Sequence, residues 1–298
     1  MKYKIGIDLG GTNIKFALQE SDGTLTITHI TPTPTDGYTS ILNKIIHSIR
    51  IMINDAAISE QDIESAGIAV PGIVKAPKGP VLLAPNINWH NVDPVTELEK
   101  AFPFPFAIGN DADCMALAEN YLGAGKDFNS FVMLTLGTGV GGAIVHDDKL
   151  FTGFTSYGGE LGHVPLVHDG HPCNCRQKGC LEQYASATAL RRITEEILGV
   201  KMAPEDLFQK AKDGDRLCEQ VIDTYVNYLC EGITGFINVF RPAGIILGGG
   251  IANSGAYLFN KINAVLPTMT YCAELIPVPP VVPAALGMYA GAQGAALL

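Results

Sequence analysis

Lys4-Ile5-Gly6-Ile7-Asp8-Leu9-Gly10-Gly11-Thr12-Asn13-Ile14-Lys15 sets a β-favouring run on each side of a glycine pair, with an acid just before the turn. Glycine lets backbone amides approach an anion closely, and Thr12 adds a hydroxyl donor. An ordinary hairpin turn uses the same glycines, so the segment alone leaves both readings open. Working outward, the runs Tyr3 to Leu9, Asn13 to Gln19 and Thr24 to Ile30 are separated by Gly10-Gly11 and Asp22-Gly23. They predict a three-stranded meander.

The same plan recurs further along. Leu136-Gly137-Thr138-Gly139-Val140-Gly141-Gly142 lies between the strand-like runs Phe131 to Leu136 and Ala143 to His146, with a third run near Lys149 to Phe151. It matches G-x-G-x-x-G, but that dinucleotide fingerprint needs a helix directly after the loop, and Ala143-Ile144-Val145-His146 is β-branched. This is a second glycine hairpin, and the recurrence suggests internal duplication. A third glycine loop, Gly248-Gly249-Gly250, follows Ile245-Ile246-Leu247 and precedes a helix, where glycine serves either ligand approach or helix–strand packing. No G-x-x-x-x-G-K-[ST] segment is present. Three such loops, two on one plan, suggest a nucleoside triphosphate held with its phosphates between paired hairpins.

Between these loops the pattern is α/β. Asp36 is placed to cap a helix carrying Ile41, Leu42, Ile45, Ile46, Ile49, Ile53 and Ala57 at helical spacing. A strand from Ser65 to Val70 follows, then a loop rich in Pro and Asn from Pro71 to Asp93. Asn110-Asp111 stands where a strand gives way to a helix from Ala112 to about Leu122. A carboxylate there can take a proton from a hydroxyl nucleophile, or Asp111 can cap that helix. Leu217, Val221, Ile222, Tyr225, Leu229, Ile233, Ile237 and Phe240 form one long stripe that reads as core. A helix near Tyr257 to Leu266 and a terminal one from about Leu286 complete the chain.

Gly158 to Ser186 reads GGELGHVPLVHDGHPCNCRQKGCLEQYAS. Cys173, Cys175 and Cys180 make a C-x-C-x4-C group, and three thiolates plus an imidazole complete a tetrahedral zinc site. His163, His168 and His171 are all candidates for the fourth ligand. Glu160 and Glu182 flank the cluster, and a folded zinc loop would hold both carboxylates at one place.

The chain has 298 residues, enough for two lobes, and a formal net charge of −10, which argues against polyanionic partners such as nucleic acid or an acidic membrane surface. There is no apolar signal-peptide core and no apolar run long enough to span a bilayer, so a soluble, cytoplasmic protein is expected. An odd set of seven cysteines fits a reducing compartment. Cys114, Cys218, Cys230 and Cys272 are expected to be buried apolar residues.

Together these residues resemble the ROK family (repressor, open reading frame, kinase), whose kinases belong to the actin-like ATPase and sugar-kinase superfamily. The resemblance covers essentially the whole chain. It implies a two-lobed actin-like ATPase (ribonuclease H-like) α/β fold with an interlobe cleft: residues 1–112 with 286–298 form a smaller lobe, and residues 113–285 a larger lobe with the zinc loop. By resemblance, Asp8, Gly10, Gly11, Thr12 and Lys15 form the first phosphate loop. Gly137, Thr138 and Gly139 form the second, and Gly248, Gly249 and Gly250 the adenosine-side loop. Asp111 becomes the catalytic base. His163 becomes the fourth zinc ligand beside Cys173, Cys175 and Cys180, and His168 and His171 become exposed loop residues. Glu160 and Glu182, with Asn110, Asp111 and one side of His163, contact sugar hydroxyls. Pro85-Asn86-Ile87-Asn88-Trp89 is similar to the P-N-[LI]-x-W of glucokinase-like members, which adds Asn86.

The implied reaction is phosphorylation of a hexose primary hydroxyl by ATP with Mg2+, braced by structural Zn2+. Glucose is the first choice of substrate, with allose, fructose, mannose and N-acetylhexosamines as alternatives, and a non-catalytic sugar sensor as the competing class. A homodimer is implied by the family. Its repressors carry a winged helix-turn-helix before the first phosphate loop, which here begins at Asp8, so the kinase branch and no nucleic-acid partner are expected. Two positions depart from the family pattern. Arg176 stands where Gly usually follows the second cysteine, and Tyr157-Gly158 replaces two small residues.

Overall fold

A computed structural model describes residues 2–155 and 157–298, which form two compact units. The first runs to Lys126 and takes in the Thr152–Gly158 loop and Ala285–Leu298; the second holds Asp127–Phe151 and Gly159–Ala284.

In the first unit the glycine-punctuated opening folds into the expected meander of β1 (Tyr3–Leu9), β2 (Asn13–Glu20) and β3 (Leu25–Pro32). Helix α1 (Tyr38–Asp55) and strand β4 (Ile63–Val70) follow. Gly37, not Asp36, occupies the N-cap of α1, and the Asp36 carboxylate accepts the Ser40 hydroxyl at 2.7 Å. The stretch from Pro71 to Asp93 is not a loop. It contains β5 (Ile73–Val74), β6 (Val81–Ala84) and β7 (Trp89–Val92), which pair antiparallel as a small sheet. Helix α2 (Pro94–Ala101), strand β8 (Phe106–Asn110) and helix α3 (Asp111–Leu122) complete the unit's first pass. The main sheet is ordered β3-β2-β1-β4-β8, antiparallel through β1 and parallel beyond it.

The last helix, Ala290–Ala295, lies directly on β1 and β4. A Cβ on Gly6 would collide with the Ala292 carbonyl and one on Gly67 with the Ala295 carbonyl, so two glycines make this close approach possible.

The boundary differs from the expected 112/113 and 285/286, and α3 belongs to the first unit. Helix α3 packs on the last helix, Gly294 lying against the Cys114 carbonyl, and Glu119, whose fully buried carboxylate accepts the N–H groups of Ala124, Ala285 and Leu286 at 2.8–3.0 Å, adds a polar tie. A buried charge needs such partners, and here they come from both the near and the far end of the chain.

The second unit repeats the plan. Strands β9 (Phe131–Leu136), β10 (Val140–His146) and β11 (Lys149–Leu150) form the meander. Helices α4 (Glu182–Ala185), α5 (Ala187–Leu198), α6 (Pro204–Lys212) and α7 (Arg216–Phe240) precede strand β12 (Gly244–Gly248). Helix α8 (Ala256–Met269) and strand β13 (Val281–Pro283) close it. The sheet order β11-β10-β9-β12-β13 reproduces that of the first unit position for position. This matches the duplication legible in the glycine loops.

Each unit has its own core, the second built around α7. The α7 stripe is shorter than its apolar pattern, since Leu217 is 54% and Phe240 37% exposed at its two ends. Cys114, Cys218 and Cys230 are buried as expected, whereas Cys272 is only partly so. Among the described residues no helix is long and apolar enough to cross a membrane.

Candidate active site

In the first unit the β1–β2 turn carries the opening motif. Asp8 faces Lys15 across the ladder, and the Lys15 Nζ lies 3.0 Å from Asp8 Oδ2. The turn is held from outside by Thr33, which follows β3: its hydroxyl donates to the Gly10 carbonyl at 2.6 Å and its N–H to the Thr12 carbonyl at 2.9 Å. Thr33 carries no motif and was invisible in the sequence; only the folded meander brings it back to the turn.

Gly11 lies under Asn86, whose carbonyl oxygen would stand 3.2 Å from a Cβ at that position. The first glycine loop and the Pro-Asn segment therefore touch. Trp89 of that segment is fully buried and meets Tyr38 edge-on with ring centroids 5.1 Å apart, so it anchors Asn86 from the core.

At the end of β8, Asn110 is the N-cap of α3. Its Oδ1 accepts the N–H groups of Ala112 at 2.8 Å and Asp113 at 3.3 Å, while its Nδ2 donates to the Gly72 carbonyl at 3.1 Å. The capping role thus falls mainly to Asn110, although Asp111 Oδ1 also accepts from the Ala112 N–H at 2.9 Å. An amide N–H of Asn110 is still available for a ligand. Asp111 starts the helix, half-buried, beside that cap.

In the second unit the β9–β10 turn is tighter, with Leu136 paired to Val140 across three residues. Its tip is fastened by the segment that follows the cysteine loop. The Ala187 N–H donates to the Gly137 carbonyl at 2.8 Å, and the Thr188 hydroxyl to the Thr138 carbonyl at 2.8 Å. Glu182 Oε2 accepts the Val140 N–H at 3.1 Å and occupies the space where a Cβ on Gly139 would fall. Gly249, in a left-handed conformation with φ 88°, packs against the Leu136 carbonyl and joins the third loop to the second. Gly137, Thr138, Gly250, Ile251, Phe208 and Arg191 are among the residues lining a cavity of about 520 Å³. That volume lies within the range of small-molecule sites. The third loop leads first into a short 3-10 turn, Ile251–Ser254, before α8 begins.

The cysteine segment folds back on itself through bridges between Pro165 and Cys180 and between Pro172 and Lys178. Ligand atoms of His163, Cys173, Cys175 and Cys180 all lie within 4.8 Å of one another. Thiolates about 2.3 Å from one zinc ion at tetrahedral angles stand about 3.8 Å apart. Here Cys175 Sγ and Cys180 Sγ are 3.5 Å apart and Cys173 Sγ is 3.6 Å from His163 Nδ1, so the donor set fits zinc. His168 is exposed beside Asp169, and His171 pairs its ring with Tyr184 at 5.3 Å. Neither belongs to the four-residue group.

Arg176 takes φ 73°, a left-handed conformation that a glycine adopts without strain. The turn Leu161–His163 lies against β10 because Gly162 has no side chain to strike the Val140 carbonyl. Desolvation raises the Glu160 carboxyl above its ordinary range, with His163 opposing and the charge of Glu182 adding to the rise; the side chain still keeps solvent access. Glu160 and Glu182 thus share one electrostatic environment. Glu182 also reaches the cluster, its Oε1 lying 3.7 Å from Cys173 Sγ.

The chain is similar along its length to known proteins. The ROK family model matches residues 4–298. A glucokinase of Thermotoga maritima is 35% identical over 297 residues, covering 92% of each chain. The structure of a ROK family glucokinase from Streptomyces griseus in complex with glucose and AMPPNP superimposes with a TM-score of 0.84 at 29% identity, covering 99% of this chain and 98% of that one. A xylose repressor of Caldicellulosiruptor bescii is 29% identical, covering 91% of this chain and 71% of the repressor. With the duplicated open sheets of the actin-like ATPase fold and a family match along essentially its full length, the chain belongs to the ROK family.

Proposed function

We propose that the protein is a hexose kinase that transfers the γ-phosphoryl group of ATP to the primary hydroxyl of glucose. The observation that carries this reading is the likeness, along nearly the whole chain, to a glucokinase whose structure holds glucose and AMPPNP. The paired glycine hairpins and the carboxylate-flanked cysteine cluster support it from this chain's own residues.

In this reading Asp111 takes the proton from the attacking hydroxyl, a contribution of roughly 10²–10⁴-fold. Asp8, kept in place by Lys15, would hold the cation that accompanies ATP. Mg2+, when bound with ATP, neutralises charge on the phosphates. Thr12 and Thr138, with the hairpin amides, contact phosphate oxygens, and the cavity beside Gly250 receives the nucleoside. Asn86, Asn110, Glu160, His163 and Glu182 pair with sugar hydroxyls. Zinc held by His163, Cys173, Cys175 and Cys180 is structural, since four protein ligands leave no open position. His163 Nδ1 faces the cluster, which leaves Nε2 on the other edge of the ring for the sugar.

Likeness to xylose repressors favours a second reading, a sugar-sensing protein without catalysis. ADP release by purified protein with MgATP, measured across glucose, mannose, fructose, allose and N-acetylhexosamines, separates the two. A kinase releases ADP, with the highest kcat/KM on glucose. Sugar binding without ADP release from any sugar would establish the sensor.

A further inference from the structure

The three carbonyls at the tip of the second hairpin are all committed. Gly137 accepts from the Ala187 N–H, Thr138 from the Thr188 hydroxyl, and Gly139 from the Gly137 N–H. The Val140 N–H is taken by Glu182. In a trans peptide the carbonyl and the following N–H point in opposite directions. Tying the Gly137 and Thr138 carbonyls toward α5 therefore turns the N–H groups of Thr138 and Gly139 to the open side of the turn. Among the described residues neither N–H is committed to a backbone carbonyl. Adjacent outward amides of this kind form an anion-binding nest.

Two of these ties have different chemical demands. Any residue except proline supplies the Ala187 N–H, but the bond to Thr138 needs a side-chain hydroxyl. The start of α5 does not require one at position 188, because Ser186 already caps the helix by accepting the Ala189 N–H at 3.1 Å. Thr188 is exposed, so it gains nothing from burial, and a β-branched residue is a poor choice for a solvent-facing helix position. Neither helix propensity nor packing accounts for it.

We propose that Thr188 is a positioning residue for phosphoryl transfer, its hydroxyl holding the Thr138–Gly139 peptide so that the Gly139 N–H faces a phosphate oxygen, a role that rests on reading this hairpin as a nucleotide loop. Thr188 does not touch the substrate. It acts through the hairpin, and its effect is confined to the phosphate end of the nucleotide.

The test compares Thr188→Val and Thr188→Ser with the wild-type protein by calorimetry, using AMPPNP with Mg2+ and, separately, adenosine. One lost hydrogen bond predicts AMPPNP binding about five- to tenfold weaker in Thr188→Val, with adenosine unchanged and Thr188→Ser close to wild type. In Thr188→Val KM for MgATP rises while KM for glucose holds, and in Thr188→Ser both stay near wild type. Unchanged AMPPNP affinity in Thr188→Val overturns the proposal, as does an equal loss of adenosine, or a serine variant that behaves like the valine one. If the wild-type protein binds neither probe, the nucleotide-loop reading itself is wrong, a result distinct from the failure of Thr188 alone.

Discussion

The two glycine hairpins share a backbone plan and differ in what they carry. In the first, Asp8 is paired with Lys15 across the ladder; in the second the corresponding cross-strand pair is Thr135 with Gly141, and no charge is present. The first turn is held by a threonine from its own meander, the second by residues after the cysteine loop. In each, one glycine leaves room for a residue assigned to the sugar: the backbone of Asn86 over Gly11, the carboxylate of Glu182 at Gly139. On the proposed function the duplicated fold divides the labour. The first copy supplies Asp8 and Asp111, and the second supplies backbone amides beside a loop whose cysteines and histidine would hold zinc.

The largest effect should come from the acid side. Asp111→Asn should lower kcat by roughly 10²–10⁴-fold in steady-state assays while glucose affinity stays near wild type. Near-normal turnover would remove the acid from the first copy's share of the work and break the comparison at its strongest point.

Zinc removal probes the other copy. Chelation should weaken glucose binding roughly tenfold or more, since Glu160, His163 and Glu182 all depend on the loop, each hydrogen bond contributing about 1 kcal/mol. Calorimetric titration of protein verified to be zinc-free tests this, and full sugar affinity there would separate the loop from the pocket.

The glycines sharpen the contrast further. A Cβ at position 139 falls on the Glu182 carboxylate, so Gly139→Ala must displace a group that also holds Val140. A shift of about 1 Å at such a site can cost 10²-fold, and kcat/KM should fall by that order. At Gly11 the nearest atom would be 3.2 Å away, and a displacement of a few tenths of an ångström accommodates it. Gly11→Ala should stay within several-fold of wild type by the same assay. Equal losses would mean that the two glycines do not differ as their surroundings indicate.

Much of this was legible in the chain because it is local. The meanders, the helix after Asn110 and the second hairpin follow from short-range pattern, and the dinucleotide reading failed for a local reason, the β-branched run after Gly142. What was not legible depends on distant partners. Glu119 reads as one more helix residue until Ala285 and Leu286 arrive from 166 and 167 positions away. Thr33 and Thr188 are unremarked threonines until folded turns meet them. The small sheet from Ile73 to Val92 was obscured by its prolines and short strands, which read as loop.

The smallest effect concerns the cysteine loop's own departure from the family pattern, and its sign follows from two opposing contributions. Arg176 holds φ 73°, where a Cβ costs an L-residue roughly 1–2 kcal/mol. Glycine relieves that cost but gains freedom in the unfolded chain worth roughly 0.5–1 kcal/mol. The Arg176 side chain is exposed, so little packing is lost with it. Arg176→Gly should therefore stabilise the metal-loaded protein by about 0.5–1 kcal/mol, read as a higher denaturation midpoint at unchanged slope, while Arg176→Ala, which keeps a Cβ at the same φ, should give no such gain. If alanine stabilises as much as glycine, the arginine side chain rather than the left-handed backbone is the source of strain. The loop would then owe its shape to the metal ligands alone.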